Sequence, residues 1–254
     1  MKKKYMFFDI DGTLTNDNPG GIILPSTLRT IKQLQEKGHF VAIATGRAHW
    51  MAMDVAKETG IYNLVHDGGN GITINNEVQW IHPLDKEKAL TIIDEAIDAG
   101  FHVEVVIDDT PAHYTKTQPI GDTSWCDIIV KPDLDFHSLK DIYKIYITMK
   151  EEEEDQIEHL KTLGYMRYRE DGIIVEPDDK YRGIIDLVEN IGGNIEDIVV
   201  FGDGHNDYTM FKQAPMSIAM GNAIDELKEI ATFVTKSNKE DGIEYACRYF
   251  GWID

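Results

Sequence analysis

Two carboxylates stand two residues apart in Phe7-Phe8-Asp9-Ile10-Asp11-Gly12-Thr13-Leu14, directly after the apolar run Tyr5-Met6-Phe7-Phe8. Such a run suits a buried strand. Acids at its end then sit at the strand's carboxyl edge, where open α/β sheets bind ligands. If the chain stays extended, Asp9 and Asp11 face one side, and they repel unless a cation or a proton lies between them. The pattern recurs. Phe40-Val41-Ala42-Ile43-Ala44 runs into Thr45-Gly46-Arg47, and Ile198-Val199-Val200-Phe201 runs into Gly202-Asp203-Gly204-His205-Asn206-Asp207. Gathered on one sheet edge, these ends offer four carboxylates, a hydroxyl, an amide and backbone amides flanked by glycine. Hard oxygen ligands at that density suit magnesium, which keeps waters and bridges to a phosphate. Gly12 and Gly46 let the backbone come close to such a phosphate. Lys180, at the start of a later helix, can bring a point charge to the same edge. Singly, each feature has an ordinary reading: Asp203-Gly204 as a turn, Asp207 as a helix cap, Lys180 as a surface lysine. Their recurrence at successive strand ends favours chemistry.

The elements that would position these residues follow an α/β grammar. A helix after Pro25 carries Leu28, Ile31 and Leu34 on one face and stops at Gly38; another runs from about Ala48 to Glu58. Strand, helix, strand, helix in short order implies βαβ units and a parallel sheet. Leu64-Val65-His66 is a third strand, and Gly71–Ile74 with Val78–Ile81 flank Asn75-Asn76 as a hairpin. Beyond His82-Pro83 the grammar changes. A helix at Lys86–Ala99 precedes the alternating strand Phe101–Val106, and Lys144–Thr148 is another strand. The acidic run Glu151–Asp155 opens a helix to about Leu163, and a hairpin turns at Asp171-Gly172. Alternating strands with one face exposed predict an inserted α+β cap over residues 83–178. The α/β pattern then resumes: a helix at Tyr181–Asn190, strands at Ile198–Phe201, Met216–Met220 and Phe233–Thr235, and helices at Ala223–Ile230 and Lys239–Phe250. The predicted fold is α/β: a doubly wound parallel-sheet (Rossmann-like) core of residues 1–82 and 179–254, split by the cap. The crossings at Pro83 and Pro177 suit a hinge.

Composition narrows the partners. The chain has 254 residues and a formal net charge of -20. It therefore repels nucleic acid and anionic membrane surfaces, and any anion it handles needs a local cation. Two cysteines, Cys126 and Cys247, are too few for a disulfide framework or a cysteine zinc site. The apolar stretch after Met1-Lys2-Lys3-Lys4 is too short for a signal peptide, and no run approaches the length of a membrane span. A cytoplasmic protein acting on small molecules is the expectation. Gly68-Gly69-Asn70-Gly71 precedes a hairpin and not a helix, which argues against a nucleotide loop. The histidines show no metal spacing, and His205 reads as a loop residue or a substrate contact. Cys126 beside Trp125 reads as packing, and Trp80, Tyr143 and Tyr168 as core. Asn70 is a residue that can face the active edge.

The ordered set of motifs resembles the haloacid dehalogenase-like hydrolases. Asp9-Ile10-Asp11-Gly12-Thr13-Leu14 looks like their first motif, Thr45-Gly46-Arg47 their second, Lys180 with Gly183 their third, and Gly202–Asp207 their fourth. The cap's position, together with Ala44-Thr45-Gly46-Arg47 and Asn238-Lys239-Glu240-Asp241-Gly242, is similar to the Cof-type branch. The resemblance implies a magnesium-dependent phosphatase of small phosphorylated metabolites, with sugar phosphates favoured. Asp9 would be the nucleophile that forms an aspartyl phosphate, and Asp11 the general acid and base. Asp203 would bind magnesium with Asp9 and the Asp11 carbonyl, supported by Asp207. Thr45 and Gly46 would hold phosphoryl oxygens, Lys180 would neutralise charge, Asn206 would orient phosphate or Lys180, and Arg47 would reach the substrate or the cap. In this branch glycine often follows the lysine directly; here Tyr181-Arg182 intervenes, so Arg182 competes with Lys180 as the local cation. Trp125, His113 and Tyr114 are candidate cap contacts to substrate. A phosphotransferase or mutase using the same two acids is the close alternative, and a non-catalytic sensor of a phosphorylated ligand the distant one.

Overall fold

The computed structural model describes residues 2–177 and 179–254. Met1, and Asp178 at the predicted end of the inserted segment, lie outside the described residues. Two compact units emerge, one of Met1–Ile81 with Asp179–Asp254, the other of His82–Asp178.

The first unit begins with β1 (Tyr5–Phe8), α1 (Pro25–Glu36), β2 (Phe40–Ala44), α2 (His49–Thr59), β3 (Leu64–His66), β4 (Gly71–Ile74) and β5 (Glu77–Ile81). The inserted unit contributes α3 (Lys86–Asp98), β6 (His102–Val106), β7 (Ala112–Thr115), β8 (Asp127–Val130), β9 (Lys144–Thr148), β10 (Tyr165–Arg169) and β11 (Gly172–Val175). The first unit then resumes with α4 (Lys180–Asn190), β12 (Ile198–Gly202), α5 (Tyr208–Gln213), β13 (Ser217–Ala219), α6 (Asp225–Ile230), β14 (Phe233–Val234) and α7 (Gly242–Tyr249).

The core sheet runs β14-β13-β12-β1-β2-β3-β4-β5. The strands from β14 to β3 are parallel, and β4 and β5 add an antiparallel hairpin at one edge. Strand periodicity sorts the side chains into two apolar layers. Met6 and Phe8 of β1 join Ile43 and Phe201 under α1, α2 and α7, while Tyr5 and Phe7 join Val65 and Val200 under α4, α5 and α6. Both faces are thereby covered, as a parallel sheet requires. Register fixes the functional edge. Phe8 lies opposite Ile43 on one side and Phe201 on the other, so β1, β2 and β12 end together.

The inserted sheet runs β10-β11-β9-β6-β7-β8, antiparallel except between β7 and β8. One face packs Val103, Val105, Ile145, Ile147, Ile173 and Val175 against Ala89, Ile92, Ile93 and Ala96 of α3. The opposite face carries His102, Glu104 and His113.

One local expectation fails, and three short elements have no counterpart in the sequence reading. Residues 151–163 form two short 3-10 turns, Glu151–Gln156 and Leu160–Thr162, not one helix. Acids three and four apart repel along a helical face, and the turns instead drop Ile157 and Leu160 into the core. The strands β7 and β8 were not anticipated, because each is only four residues long and carries too little periodicity. The helix α5 was also missed, since six residues carry too little periodicity.

Candidate active site

Asp9 leaves β1 with its amide still in the sheet, donating to the Phe201 carbonyl at 3.0 Å. The chain then turns sharply. Leu14 and Thr15 donate their amides to the carbonyls of Asp9 and Ile10, and Gly12 takes φ +80°. Only glycine fits there on two counts: the left-handed backbone, and a Cβ that would overlap the Asp203 carboxylate. Thr13, carried inward by the same turn, donates from its hydroxyl to Asp203 Oδ1 at 2.8 Å.

Across the edge, Lys180 is 2% exposed. Its ammonium donates to Asp9 Oδ1 and Asp207 Oδ1, both at 2.7 Å. The helix α4 that carries it is capped by the Asp179 carboxylate, which accepts from the Arg182 amide at 3.1 Å. Gly183 lets α4 pack close: a Cβ there would press on Val65 and the Gly69 backbone. Asp207 spends its other oxygen on the amides of Asp203 (2.9 Å) and Gly204 (3.1 Å), folding the β12 loop around itself. Asp9, Asp203 and Asp207 each place an oxygen within 4.8 Å of the others, and all three are buried.

These acids face one ammonium. Burial, then the charges of Asp207 and Asp203, holds the Asp9 carboxyl well above the usual carboxylate range, although Lys180 pulls it down. Burial also pushes Asp203 up to about 7, with Asp207 and Asp11 adding to it against the Thr13 hydrogen bond and Lys180. Burial would lower the Lys180 pKa, but Asp207 and Asp9 outweigh it and hold it above the ordinary lysine value. The cluster is an oxygen-rich pocket short of positive charge. With three carboxylates and neither imidazole nor thiol among them, it suits a hard divalent cation such as magnesium.

Asp11 does not join this trio. Its carboxylate takes a fork from Arg47, with Nε at 2.9 Å and NH2 at 2.6 Å, and accepts the Gly20 amide at 2.7 Å. The extended Asp9-Ile10-Asp11 stretch that would align both side chains is therefore replaced by a turn that parts them. Arg47, expected at the substrate or the cap, pairs with Asp11 instead. Thr45 is buried at the end of β2, and its hydroxyl accepts the Arg47 amide at 3.1 Å. Gly46 lies between them. Asn206 is half-buried over Gly204, and Lys180 is oriented by Asp9 and Asp207, not by Asn206. Arg182 is exposed and donates to Asn70 Oδ1 at 2.7 Å, which leaves Lys180 as the buried cation. His205 is exposed.

Sequence reasoning passed over Asn222. Its amide donates to the Gly12 carbonyl at 2.9 Å, while its Oδ1 accepts the Asn238 amide at 2.9 Å. Asn238 in turn donates to the Thr15 carbonyl at 2.9 Å. A signal was present: Gly221-Asn222 follows the apolar run through Met220, another strand ending in polar residues.

Residues 6–246 match the model of the haloacid dehalogenase-like hydrolases. The chain is 33% identical over 260 residues to YkrA of Bacillus subtilis (strain 168), a candidate phosphatase, with 100% of both chains covered. It is 30% identical to the 5-amino-6-(5-phospho-D-ribitylamino)uracil phosphatase YitU of the same organism, covering 95% of each. Among solved structures, the sugar phosphatase BT4131 of HAD subclass IIB superposes with a TM-score of 0.80 at 25% identity, over 99% of this chain and 100% of that one. With its two apolar layers, its strand-end acids and a buried lysine between them, the chain belongs to the haloacid dehalogenase-like hydrolases, in their Cof-type branch.

Proposed function

We propose that this phosphoric monoester hydrolase cleaves small phosphorylated metabolites, sugar phosphates foremost, with magnesium and through an aspartyl phosphate on Asp9. The observation that carries the reading is the buried Lys180 bridging Asp9 and Asp207 beside Asp203. Asp9, Asp203 and the Asp11 carbonyl would hold the magnesium, with Asp207 bracing their loop. When bound, that ion supplies the positive charge that lets an anionic phosphoryl group approach carboxylates.

The chain's own residues do the rest. Lys180 fixes Asp9 through Oδ1 and draws its raised pKa back down, which favours the ionised carboxylate that acts as nucleophile. Asp9 oxygen attacks phosphorus, the ester oxygen leaves, and an aspartyl phosphate results. Asp11 gives the leaving oxygen its proton and then takes one from the water that releases phosphate. The Arg47 fork and the Gly20 amide hold the Asp11 carboxyl in place, which makes Arg47 a positioning residue for the acid. Thr45 and the backbone at Gly46 suit the phosphoryl oxygens, whereas the Gly12 amide, expected there too, donates to the Asp17 carbonyl at 3.1 Å. We assign the choice among phosphomonoesters to the inserted unit. The relatives named for a ribitylaminouracil phosphate and for sugar phosphates favour a polyhydroxylated leaving group.

A panel of phosphomonoesters assayed with and without magnesium tests this. Turnover should require the ion and fall at least about 10³-fold in Asp9→Asn, since a covalent route is removed. A variant that keeps its full rate refutes the nucleophile. Phosphate release, compared with transfer to added sugar, separates hydrolysis from phosphotransfer.

A further inference from the structure

The inserted sheet carries a second cluster that the hydrolytic reaction does not use. Glu104 of β6 and His113 of β7 point to the face opposite α3, and Cys126 immediately precedes β8. One ligand atom from each lies within 4.8 Å of the others. Glu104 and His113 are buried, and Cys126 is half-buried. Behind them, Glu104 Oε1 meets His102 Nε2 at 3.0 Å, and His102 Nδ1 meets the Thr117 hydroxyl at 2.7 Å. Glu104 Oε2 meets His113 Nδ1 at 2.9 Å. The aromatic rings of Trp125 and Tyr146 lie 5.0 and 4.5 Å from His113, and Tyr168 packs on both of those rings.

This is a different chemistry from the core pocket. One sulfur, one imidazole and one carboxylate make a borderline-soft donor set, whereas the core offers carboxylates alone. An outer histidine bound to the ligating carboxylate, and a wall of aromatic rings, are the supports that orient ligands and exclude water around protein metal sites. We propose that the inserted unit binds a zinc-class divalent cation through Glu104, His113 and Cys126. Three protein ligands leave a tetrahedral ion one position for water or another donor. On binding, the Cys126 S–H bond gives up its proton to solvent as the sulfur–metal bond forms, while neutral His113 ligates through the ring nitrogen that carries no proton, so one proton is released per ion. The assignment does not depend on the hydrolytic reading.

Cobalt(II) titrated into chelator-stripped protein, with magnesium in excess to occupy the core carboxylates, tests it. The expected result is a thiolate-to-cobalt charge-transfer band that saturates at one equivalent and is bleached by zinc. The band should vanish in Cys126→Ser and persist in both Cys247→Ser and Asp203→Asn. Half-saturation should rise by about tenfold or more in His113→Ala. Because His113 is buried and its removal can disturb folding, a second readout uses the unaltered chain: zinc should slow labelling of Cys126 by a thiol reagent. Absence of the band, its survival in Cys126→Ser, or labelling indifferent to zinc would overturn the proposal and leave the cluster a hydrogen-bonded network only.

Discussion

Removing the Lys180 ammonium would leave Asp9 and Asp207 facing each other in a buried site without their shared hydrogen-bond donor. Breaking a buried ion pair from one side costs about 3–5 kcal/mol. Lys180→Met should therefore lower stability by that order in urea unfolding and abolish turnover together. Arg47 separates differently. As the partner that holds Asp11, it should act on the chemical step: Arg47→Ala is expected to lower kcat about 10- to 100-fold with a smaller change in KM. A change confined to KM would make Arg47 a substrate contact instead. The spacing of Asp9, Asp203 and Lys180 at strand and helix ends was readable from apolar runs that stop in polar residues. The Asp11–Arg47 pair was not. It depends on the turn after Ile10 and on the Gly20 amide, reached through a loop whose path no periodicity encodes.

The catalytic edge is set by elements meeting at close range, and α4 shows how. Its first residue is Lys180, and at Gly183 it rests against Val65 of β3 and the Gly69 backbone. A methyl group there cannot be absorbed by side-chain motion alone, because backbone lies on one side. Gly183→Ala should cost about 1–3 kcal/mol, the range for overpacking, and should lower kcat as well, because shifting α4 moves the ammonium. A stability loss with unchanged kcat would show that α4 tolerates displacement. At this scale the core was largely legible: buried strands and amphipathic helices announce themselves by period. In the inserted unit, the 151–163 segment misled because a run of acids suits a helix start yet opposes its continuation. The strands β7 and β8 are held by cross-strand partners distant in sequence, which local pattern cannot supply.

For the molecule as a whole, the two units should respond to different conditions. If magnesium binds at Asp9 and Asp203 as proposed, it should stabilise the folded first unit by mass action, by about 2.7 kcal/mol at a hundred times Kd. Thermal unfolding should shift upward with magnesium, and hydrogen exchange should slow in β1 and β12 but not in β6 and β9. The inserted unit should respond to acid. Burial would raise the Glu104 carboxyl, but hydrogen bonds from His102 and His113, and their charge, hold it down at about 2 against an ordinary 4.5. A depressed acid favours the folded state above pH 4.5, and the contribution drains away as pH falls toward 2. It amounts to at most about 3 kcal/mol. In chelator-treated protein, hydrogen exchange in β6 and β9 should therefore accelerate as pH drops below 4.5, after correction for intrinsic rates, and Glu104→Gln should flatten that dependence. No helix among the described residues is long and apolar enough to cross a membrane.

By itself, the sequence determined the layered α/β core, the insertion, the family and the kind of atoms gathered at the strand ends, because periodicity and residue type are local properties. Only the tertiary structure decided which of those atoms meet. It put Lys180 between Asp9 and Asp207, drew Asp11 off to Arg47, and set Glu104, His113 and Cys126 on one sheet face. Each of those encounters depends on register and turn geometry joining residues far apart along the chain, and the energies that select them are shared among neighbours that no single stretch contains.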